Sequence, residues 1–551
     1  MSQDRGTWFR EAAFGCFIHW GLYCIPGGYW KGKDAEYFGE WIQAKLRIPA
    51  AEYAELAKEF NPDSYNPDEW CRLFRDAGMK YAVFTAKHHE GFSMYCTKVS
   101  DFNVVDASPY GRDPLAEFAV SCRKYGIRFG IYYSHDLDWH EPDGGDPGPK
   151  CDKNIGGVSW GNDWDFPDYA TKNFNSYFKS KVIPQVTELL TNYGEVSVIW
   201  FDCPNTISPK ESRELRELVH RLQPECLISG RIGNNCGDFI SLGDNQLPGT
   251  AIPGLVECPA TLNDTWGFKP SDHNWKSAHT VIGQLLELTE KKVNYLLNVG
   301  PRPDGQLPPE TVQILTEIAK WRKQNDDAFN GTEGNPFPLF FEDIRMLSSK
   351  GKINLFFKAP GKKSVICGIQ NKVISASVPF QQKGGELILD TSSLRGIWPR
   401  VVLEIKGVPQ VEPVLFPLNG TLSLIPQMIN PNKPYVAWNS PEEVIKWEIC
   451  FPQGGEYMFS CVTESAMHSR PWCGAREVEL CVNGECRKVQ LEMQNIIANG
   501  CYPRVESSLG IFLIKNADPT KISFRTLNVL SKEAEKMNLI ALKIQCINHT
   551  N

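Results

Sequence analysis

One carboxylate, Asp202, directly follows the run Val196–Phe201, and this placement is the clearest chemical signal in the chain. A short run rich in β-branched and aromatic side chains is typical of a buried strand in a parallel sheet. In (β/α)₈ barrels the C-terminal ends of the strands carry the chemistry, so Asp202 is a candidate catalytic residue. The alternative is structural, because an aspartate here can also cap a turn or the next helix.

Polar and aromatic side chains also stand at the ends of the other predicted strands. They are His19, His88, His89, Tyr133 and Arg231, with Trp200 just before Asp202 and the pair Glu40-Trp41 after the first strand. A lone histidine on a strand is more often structural, but packing alone explains poorly a series of such residues at successive strand ends. Together they predict a small polar cup with aromatic walls, which suits a sugar.

The tandem His88-His89 raises the question of a metal site. Neighbouring residues of a regular strand point to opposite faces, so both rings cannot easily bind one ion there. The chain also lacks a His-x-His or His-Glu-x-x-His motif and a pair of cysteines at zinc spacing. The missing ligands therefore argue against a metal site.

The elements that must position these residues alternate between strand-like and helix-like up to about residue 335. Strands are predicted at 14–21, 80–86, 127–134, 196–201, 227–230, 255–258 and 295–299, and helices at 53–60, 67–77, 114–125, 174–193, 209–221, 278–291 and 310–325. Such alternation predicts a parallel sheet, and six to eight strands predict a (β/α)₈-like barrel over residues 1–335.

Short β-rich runs separated by Gly, Pro and Asn follow residue 335 and are typical of β-sandwiches. We expect one sandwich over 336–430 and a second over 431–551, with the Pro-Asn-Lys-Pro stretch 431–434 as a linker. The second module is expected either to bind carbohydrate or only to brace the barrel.

Composition excludes several classes of partner. The net charge is −7 and no long basic stretch occurs, which argues against nucleic acid or an anionic membrane surface. No apolar run is long enough to span a bilayer. The first residues do not read as a secretory signal, so a cytoplasmic location with free thiols at the 18 cysteines is the expectation. A chain trimmed of a signal would look the same.

Eight motifs occur in a fixed order along the chain. They are Phe-Ile-His-Trp-Gly (17–21), Glu-Trp (40–41), Lys-His-His-Glu-Gly-Phe (87–92), Tyr-Tyr-Ser (132–134), Trp-Phe-Asp (200–202), the segment 237–248, Thr-Trp-Gly-Phe (265–268) and Leu-Leu-Asn-Val-Gly-Pro (296–301). In this combination the chain resembles the retaining α-L-fucosidase family of glycoside hydrolases over residues 8–330. The resemblance implies a (β/α)₈-like barrel followed by a β-sandwich, in agreement with the pattern above.

The resemblance also implies roles for individual residues. Asp202 matches the family's nucleophile, while His19, Glu40, Trp41, His88, His89, Tyr133, Trp200 and Arg231 match residues that hold the fucose, and Trp266 lies in a further matching motif. The expected activity is exo-acting hydrolysis of terminal α-L-fucose from fucosylated glycans by double displacement, without a cofactor. Family members are often oligomeric, so a homo-oligomer is also an expectation.

The general acid/base is less well defined, because the family varies its position. Asp244, in a Gly-Asp-Asn segment, is the preferred candidate, although the same segment is good turn chemistry. Glu257, expected at a strand end, is the alternative and otherwise a substrate-binding residue. A general acid needs an environment that raises its pKa, which sequence does not reveal.

Two alternatives to fucosidase activity and one open feature remain at this point. The chain could be a fucose-binding protein with a degenerate site, or act on α-L-galactosides, which differ from fucosides at the C5 substituent. The insertion 135–161 follows a predicted strand and is expected to shape the aglycone side of the pocket. Trp139, Trp160 and Trp164 either stack on a neighbouring sugar or anchor this loop.

Overall fold

The structure, a computed structural model, divides the chain into two compact units. It describes residues 5–145, 161–168, 170–249, 251–337, 340–412, 421–424, 438–451, 453–465, 472–498, 503–515 and 519–549. The first unit comprises Met1–Asp244, Gly254–Val281 and Asn294–Gln324, and the second comprises Asn245–Pro253, Ile282–Val293 and Asn325–Asn551.

The first unit is built on a curled sheet of eight strands. They are β1 (Phe14–Ile18), β2 (Tyr81–Lys87), β3 (Arg128–Tyr133), β4 (Val198–Phe201), β5 (Leu227–Ile228), β6 (Ile240–Ser241), β7 (Val256–Ala260) and β8 (Asn294–Val299). All neighbours are parallel, in the order β5-β4-β3-β2-β1-β8-β7-β6. The two ends meet through one parallel bridge between Ser229 and Phe239. The predicted (β/α)₈-like barrel is therefore confirmed.

Helices follow most of these strands. Their bounds are Thr7–Ala12, Ile42–Leu46, Ala50–Ala54, Pro67–Asp76, Pro114–Tyr125, Phe174–Tyr177, Ile183–Asn192, Pro209–Leu222, Ala278–Glu290 and Pro309–Asn325, with a π turn at Phe178–Val182. Asn66, Asp113 and Ser208 each cap a helix N-terminus with a side-chain oxygen and are followed by proline at the first helical position. This pairing of a polar cap with proline sets where these helices begin.

The segment between β5 and β7 departs from the alternating pattern. Among the described residues it contains no α-helix, only the 3₁₀ turn Gly230–Ile232 and the two-residue strand β6. The sequence predicts seven strands and omits β6, because two residues are too short to leave a periodic pattern. The irregular backbone around β6 carries Arg231 and Asp244 at the same edge of the sheet as Asp202.

The second unit is almost entirely antiparallel. One pair of sheets contains Ile344–Ser349, Lys352–Phe357, Arg400–Ile405 and Val373–Ala376 in the first sheet, and Lys363–Cys367, Glu386–Asp390 and Phe380–Lys383 in the second. The other pair contains Phe340–Phe341, Thr421–Leu424, Met537–His549, Gly455–Ser465, Arg504–Ile514 and Asn495–Ala498, and Ile445–Cys450, Pro519–Val529, Arg476–Val482 and Glu485–Gln490. The β-rich character predicted after residue 335 is confirmed.

The predicted domain boundaries within this region remain predictions. Thr421–Leu424 pairs with Met537–His549, so this early strand is part of the six-stranded sheet of the later block. Buried apolar side chains from Phe337 to Ile544 form one continuous cluster. The linker expected at 431–434 lies outside the described residues.

Cysteine chemistry differs from the expectation at one place. Cys481 and Cys486, directly opposite each other on neighbouring strands, form a disulfide. The other fourteen cysteines in the described ranges are free thiols. Opposed positions on a hairpin bring two sulfur atoms together, a proximity that a scattered count of cysteines does not show. Across the described ranges, every helix is too short or too polar to cross a bilayer.

Candidate active site

The C-terminal ends of the barrel strands gather most of the candidate residues into one buried cup. His19 follows β1, His88 and His89 follow β2, Asp202 follows β4, and Arg231 follows β5. Glu40 and Trp41 enter from the 3₁₀ turn Gly39–Trp41. Trp200 and Trp266 complete the aromatic wall, and the cup opens to solvent at Asp202, Arg231 and Asp244.

Asp202 is held by two donors, one on each carboxylate oxygen. Arg231 Nη1 donates to Oδ1 at 3.1 Å, and the Tyr132 hydroxyl donates to Oδ2 at 3.0 Å. Burial alone would raise the pKa of Asp202, but the charge of Arg231 and the bonds from Arg231 and Tyr132 outweigh it and hold the pKa below its ordinary value. Asp202 is therefore an ionised carboxylate at neutral pH, as a nucleophile requires.

Arg231 links Asp202 to Asp244. Its Nη2 donates to Oδ1 of Asp244 and, at 2.9 Å, to the carbonyl of Leu242. The guanidinium also lies over the Trp200 ring, 4.8 Å from the ring centroid. The planar guanidinium of Arg231 thus binds one carboxylate at each of its two terminal nitrogens. The aromatic face of Trp200 fixes the position of the guanidinium.

The three histidines are neutral. Burial lowers the pKa of His19 and of His89 to about 4, and that of His88 well below its ordinary value. His19 Nδ1 lies 2.7 Å from Oδ1 of Asn298, whose amide donates to the Trp266 carbonyl at 2.7 Å. Asn298 therefore accepts from His19 Nδ1, which leaves Nε2 of His19 as an acceptor toward the cup.

His89 has its tautomer set in the same way. The Ser134 hydroxyl donates to the Leu137 carbonyl at 2.7 Å, so its oxygen accepts from His89 Nδ1, also at 2.7 Å. The lone pair at Nε2 of His89 then faces Oδ2 of Asp202 at 3.7 Å. The Cys203 thiol, with its Sγ 3.6 Å from Nε2, is one donor to this lone pair. A sugar hydroxyl placed between Nε2 and the carboxylate oxygen would be another.

Glu40 offers a free acceptor to the cup. Its Oε2 accepts from the backbone N–H of Gly267 at 2.9 Å and from the Thr265 hydroxyl at 3.1 Å. Within the described part of the chain, its buried Oε1 has no hydrogen-bond partner. Burial raises the pKa of Glu40 above its ordinary value, although the bond from Gly267 opposes this. A buried oxygen left unpaired is costly, so it marks a place for a ligand donor.

Aromatic rings close the cup. Tyr132 is stacked on Trp200 with 5.8 Å between ring centroids and on His88 with 5.6 Å. Trp266 lies 5.0 Å from His19, and Trp41 lies 5.1 Å from His89. These rings present apolar walls beside the polar groups, the combination typical of a small-molecule site.

Tyr133 does not join the cup. Its hydroxyl donates at 2.8 Å to Gln185, on the helix Ile183–Asn192 outside the sheet, while its neighbour Tyr132 reaches Asp202. Successive strand residues alternate between the two faces, so a shift of one residue exchanges their roles. Contrary to the expectation, the structure therefore places Tyr132 and not Tyr133 at the cup.

Both tandem histidines face the cup, which differs from the expectation. The strand β2 ends at Lys87, so His88 and His89 lie beyond it and the alternation of a regular strand no longer applies. Their ring centroids are 4.2 Å apart. A residue on the other side of the cup, Cys203, also turns inward, and its Sγ lies 3.6 Å from Nε2 of His89.

Glu257 lies deep inside the barrel and not at a strand end. It is the second residue of β7, is fully buried, and accepts from Trp200 Nε1 at 2.7 Å and from the Tyr81 hydroxyl at 2.5 Å. Burial raises its pKa to about 7. The Tyr81 ring reaches across the barrel through space left by Gly15, where a Cβ would lie 2.5 Å from the ring. Both oxygens of Glu257 are thus occupied by barrel side chains.

The tryptophans of the insertion have structural partners. Trp139 is fully buried with its ring 5.1 Å from that of Trp41, and Trp164 Nε1 donates to the Ile48 carbonyl at 3.1 Å. Trp160 lies outside the described residues. Of the two alternatives, anchoring of the loop accounts for Trp139 and Trp164.

A polar cup with paired carboxylates and aromatic walls at this edge of a barrel defines a carbohydrate-active enzyme. Comparison with known proteins defines it further. The family model described as Alpha-L-fucosidase matches residues 2–327, and the chain belongs to this family. It is a glycoside hydrolase that releases fucose.

Individual relatives agree with this assignment. The tissue α-L-fucosidase of Homo sapiens is 30% identical over 351 residues, which are 59% of this chain and 69% of the relative. The crystal structure of the α-L-fucosidase from Vibrio sp. strain EJY3 covers 99% of this chain and 98% of its own, with a TM-score of 0.84 and 26% identity. The α-L-fucosidase of Lactobacillus casei, solved with α-L-fucose product, is 42% identical and covers 59% of this chain and 100% of its own, with a TM-score of 0.57.

Glu90, directly after the histidine pair, predicts a pH dependence of stability. Its carboxylate accepts from the Leu22 N–H at 3.0 Å and from the Tyr53 hydroxyl, and burial raises its pKa to about 8. Because the folded state holds this proton more tightly than the unfolded chain, stability falls as pH rises through the interval between the ordinary pKa and about 8. Each pH unit there costs up to about 1.4 kcal/mol.

We expect Glu90→Gln to flatten the decline in Tm between about pH 7 and pH 8, as measured by circular dichroism. Glu69→Gln, at an exposed position in the helix Pro67–Asp76, is the matched control and should keep the slope of the parent. An equal slope in Glu90→Gln and the parent would contradict the assignment.

Proposed function

We propose that this enzyme is a retaining, exo-acting α-L-fucosidase in which Asp202 is the nucleophile and Asp244 the general acid/base. The observation that carries the proposal is the arrangement of Asp202 and Asp244 on the two terminal nitrogens of Arg231. Retaining enzymes need two carboxyl groups only ~5–5.5 Å apart, and a shared guanidinium favours such close spacing over the ~6.5–9.5 Å of inverting enzymes.

In the first step, Asp202 attacks C1 of an α-L-fucoside while Asp244 gives its proton to the leaving oxygen. The product of this step is a β-fucosyl ester on Asp202. In the second step, Asp244 takes a proton from water, and that water attacks C1 from the α face and releases α-L-fucose.

Arg231 suits both steps because the negative charge changes places. Before the first step Asp202 is charged, and Arg231 bonds it at 3.1 Å. In the ester Asp202 is neutral and Asp244 is the charged base, which the other nitrogen of Arg231 already contacts. A guanidinium, which does not lose its proton, can stabilise either carboxylate without taking part in proton transfer.

The sugar itself would be recognised through its hydroxyls. Glu40 Oε1 and Nε2 of His89 are acceptors that face the cup, and Trp266 and Trp41 supply apolar walls. A site whose buried acceptors need sugar hydroxyls discriminates against sugars that lack them. The substrates we propose are fucosylated glycans. The Lactobacillus casei relative is 42% identical, and solved structures of related fucosidase variants contain 4-nitrophenyl α-L-fucopyranoside or Fucα1,6GlcNAc. A cytoplasmic location and a homo-oligomer remain predictions.

The stereochemistry of the product tests the mechanism directly. Hydrolysis of 4-nitrophenyl α-L-fucopyranoside followed by proton NMR should show α-L-fucose first, with the β anomer growing in only by mutarotation. Appearance of β-L-fucose as the first product would instead mean a single displacement by water and would remove the nucleophile role from Asp202.

A further inference from the structure

Cys203, the residue after Asp202, has an unusual backbone conformation. Its φ is +50°, in the left-handed region that residues other than glycine rarely adopt. Because of this turn, the chain abandons strand alternation, and Cys203 lies on the same side as Asp202. Its Sγ comes within 3.6 Å of Nε2 of His89. Strained backbone conformations cluster at functional sites, so a thiol held in an active site by one suggests that the thiol has a function.

Three donor atoms meet at this point. Nε2 of His89, a carboxylate oxygen of Asp202 and Sγ of Cys203 all lie within 4.8 Å of one another, the one such group of three among the described residues. The measured separations from Nε2 are 3.7 Å to Oδ2 of Asp202 and 3.6 Å to Sγ of Cys203. Donors around a tetrahedral zinc ion are about 3.3–3.8 Å apart, as follows from metal–ligand distances of about 2.0–2.3 Å.

The surroundings suit a cation as well. His89 donates its other ring N–H to Ser134, the outer contact that orients metal-bound histidines. Oδ2 of Asp202 accepts from Tyr132 and has a second lone pair, while Arg231 occupies the other oxygen. A thiol, an imidazole and a carboxylate together select a thiophilic divalent ion over a hard ion such as Mg²⁺.

We propose that His89, Asp202 and Cys203 form a binding site for a thiophilic divalent cation, of the class of Zn²⁺ and Cd²⁺, that inhibits the enzyme. Binding forms metal bonds to Nε2, Oδ2 and Sγ, and the thiol proton leaves to solvent. Occupation takes up the nucleophile oxygen and the lone pair of His89, so cation and fucose exclude each other.

The inhibition rests on the proposed role of Asp202, whereas the binding does not, and the experiment separates the two. Cd²⁺ is titrated into the parent while thiolate-to-metal charge-transfer absorbance is followed, and inhibition by Cd²⁺ and by Zn²⁺ is measured with 4-nitrophenyl α-L-fucopyranoside. Cys203→Gly removes the thiol and accepts the left-handed backbone, and Cys203→Ser keeps the size of the side chain. Cys96→Ala, at an exposed free thiol, is the matched control.

We expect a Cd²⁺ absorbance band in the parent and in Cys96→Ala that is absent from both Cys203 variants and is suppressed by L-fucose. The Zn²⁺ concentration for half-inhibition, measured relative to the metal-free activity of each variant, should rise at least tenfold in the Cys203 variants. An unchanged band or unchanged half-inhibition in Cys203→Gly overturns the site. A Cd²⁺ band that is lost with Cys203, in a parent enzyme that the same Cd²⁺ concentration does not inhibit, supports the site and refutes the role of Asp202.

Discussion

Asp202→Gly is expected to lower kcat/KM on 4-nitrophenyl α-L-fucopyranoside by roughly 10⁴–10⁶-fold, the loss typical of removing a nucleophile. Arg231 and Tyr132 hold this carboxylate ionised against the opposing effect of its burial. Glycine leaves a void in its place and cannot form the ester. The side chains on the other strands that bind the sugar are unchanged in this variant. We therefore expect kcat to fall far more than KM changes.

Sodium azide is expected to restore turnover in this variant. Azide is small enough to enter the void left by the carboxylate and attacks C1 from the β face, so the product is β-L-fucosyl azide. The product anomer is determined by NMR, and the rate is followed by release of 4-nitrophenol. Azide is a strong nucleophile that needs no general base, and the remaining cup holds the sugar in position for its attack.

A matched control for this experiment is Asp238→Gly. Asp238 is buried and paired with an arginine like Asp202, through Arg216 at 3.2 Å, but it also bonds Arg5 and His220 away from the cup. Its loss should lower stability, and azide should change nothing. Substantial residual activity of Asp202→Gly without azide, or rescue of both variants, would contradict the nucleophile assignment.

The success of the sequence analysis at the strand ends has a physical reason. Apolar runs such as Val196–Phe201 must be buried on both faces, and the charge that ends such a run can only sit at the rim. The same logic locates His19 and Arg231. Polar caps followed by proline locate the helix starts at Pro67, Pro114 and Pro209.

The predictions are wrong where the position of a side chain depends on a shift of one residue or on the local backbone conformation. Tyr132 and Tyr133 are chemically identical, so only the register of the sheet decides which one reaches Asp202. Glu257 looks like a rim residue because the prediction ends its strand at 258, whereas β7 continues to Ala260. The Cys203 side chain turns inward because the backbone there has a positive φ, which no local sequence pattern predicts.

Asp244→Ala is expected to show a loss of activity that depends on the leaving group. With Fucα1,6GlcNAc, whose leaving oxygen needs a proton, kcat/KM should fall by roughly 10²–10⁴-fold, the contribution typical of general acid–base catalysis. With 2,4-dinitrophenyl α-L-fucoside, which leaves without protonation, the first step should be nearly unaffected. The second step still lacks its base, so the ester on Asp202 accumulates and appears as a burst of phenol.

Azide also tests the role of Asp244, and the fucosyl azide formed here has the opposite anomeric configuration to that from Asp202→Gly. In Asp244→Ala it attacks the β-fucosyl ester from the α face and needs no base, so α-L-fucosyl azide forms and turnover rises. Glu257→Gln is the matched comparison, because its two oxygens are bonded to Trp200 and Tyr81 inside the barrel. That variant should depend on the leaving group as the parent does and give no fucosyl azide. The opposite result is that Glu257→Gln shows the leaving-group dependence and forms the α-azide while Asp244→Ala does not. The carboxyl group that protonates the leaving oxygen would then be Glu257. The position of Asp244 at the rim would reflect only its turn and its pairing with Arg231.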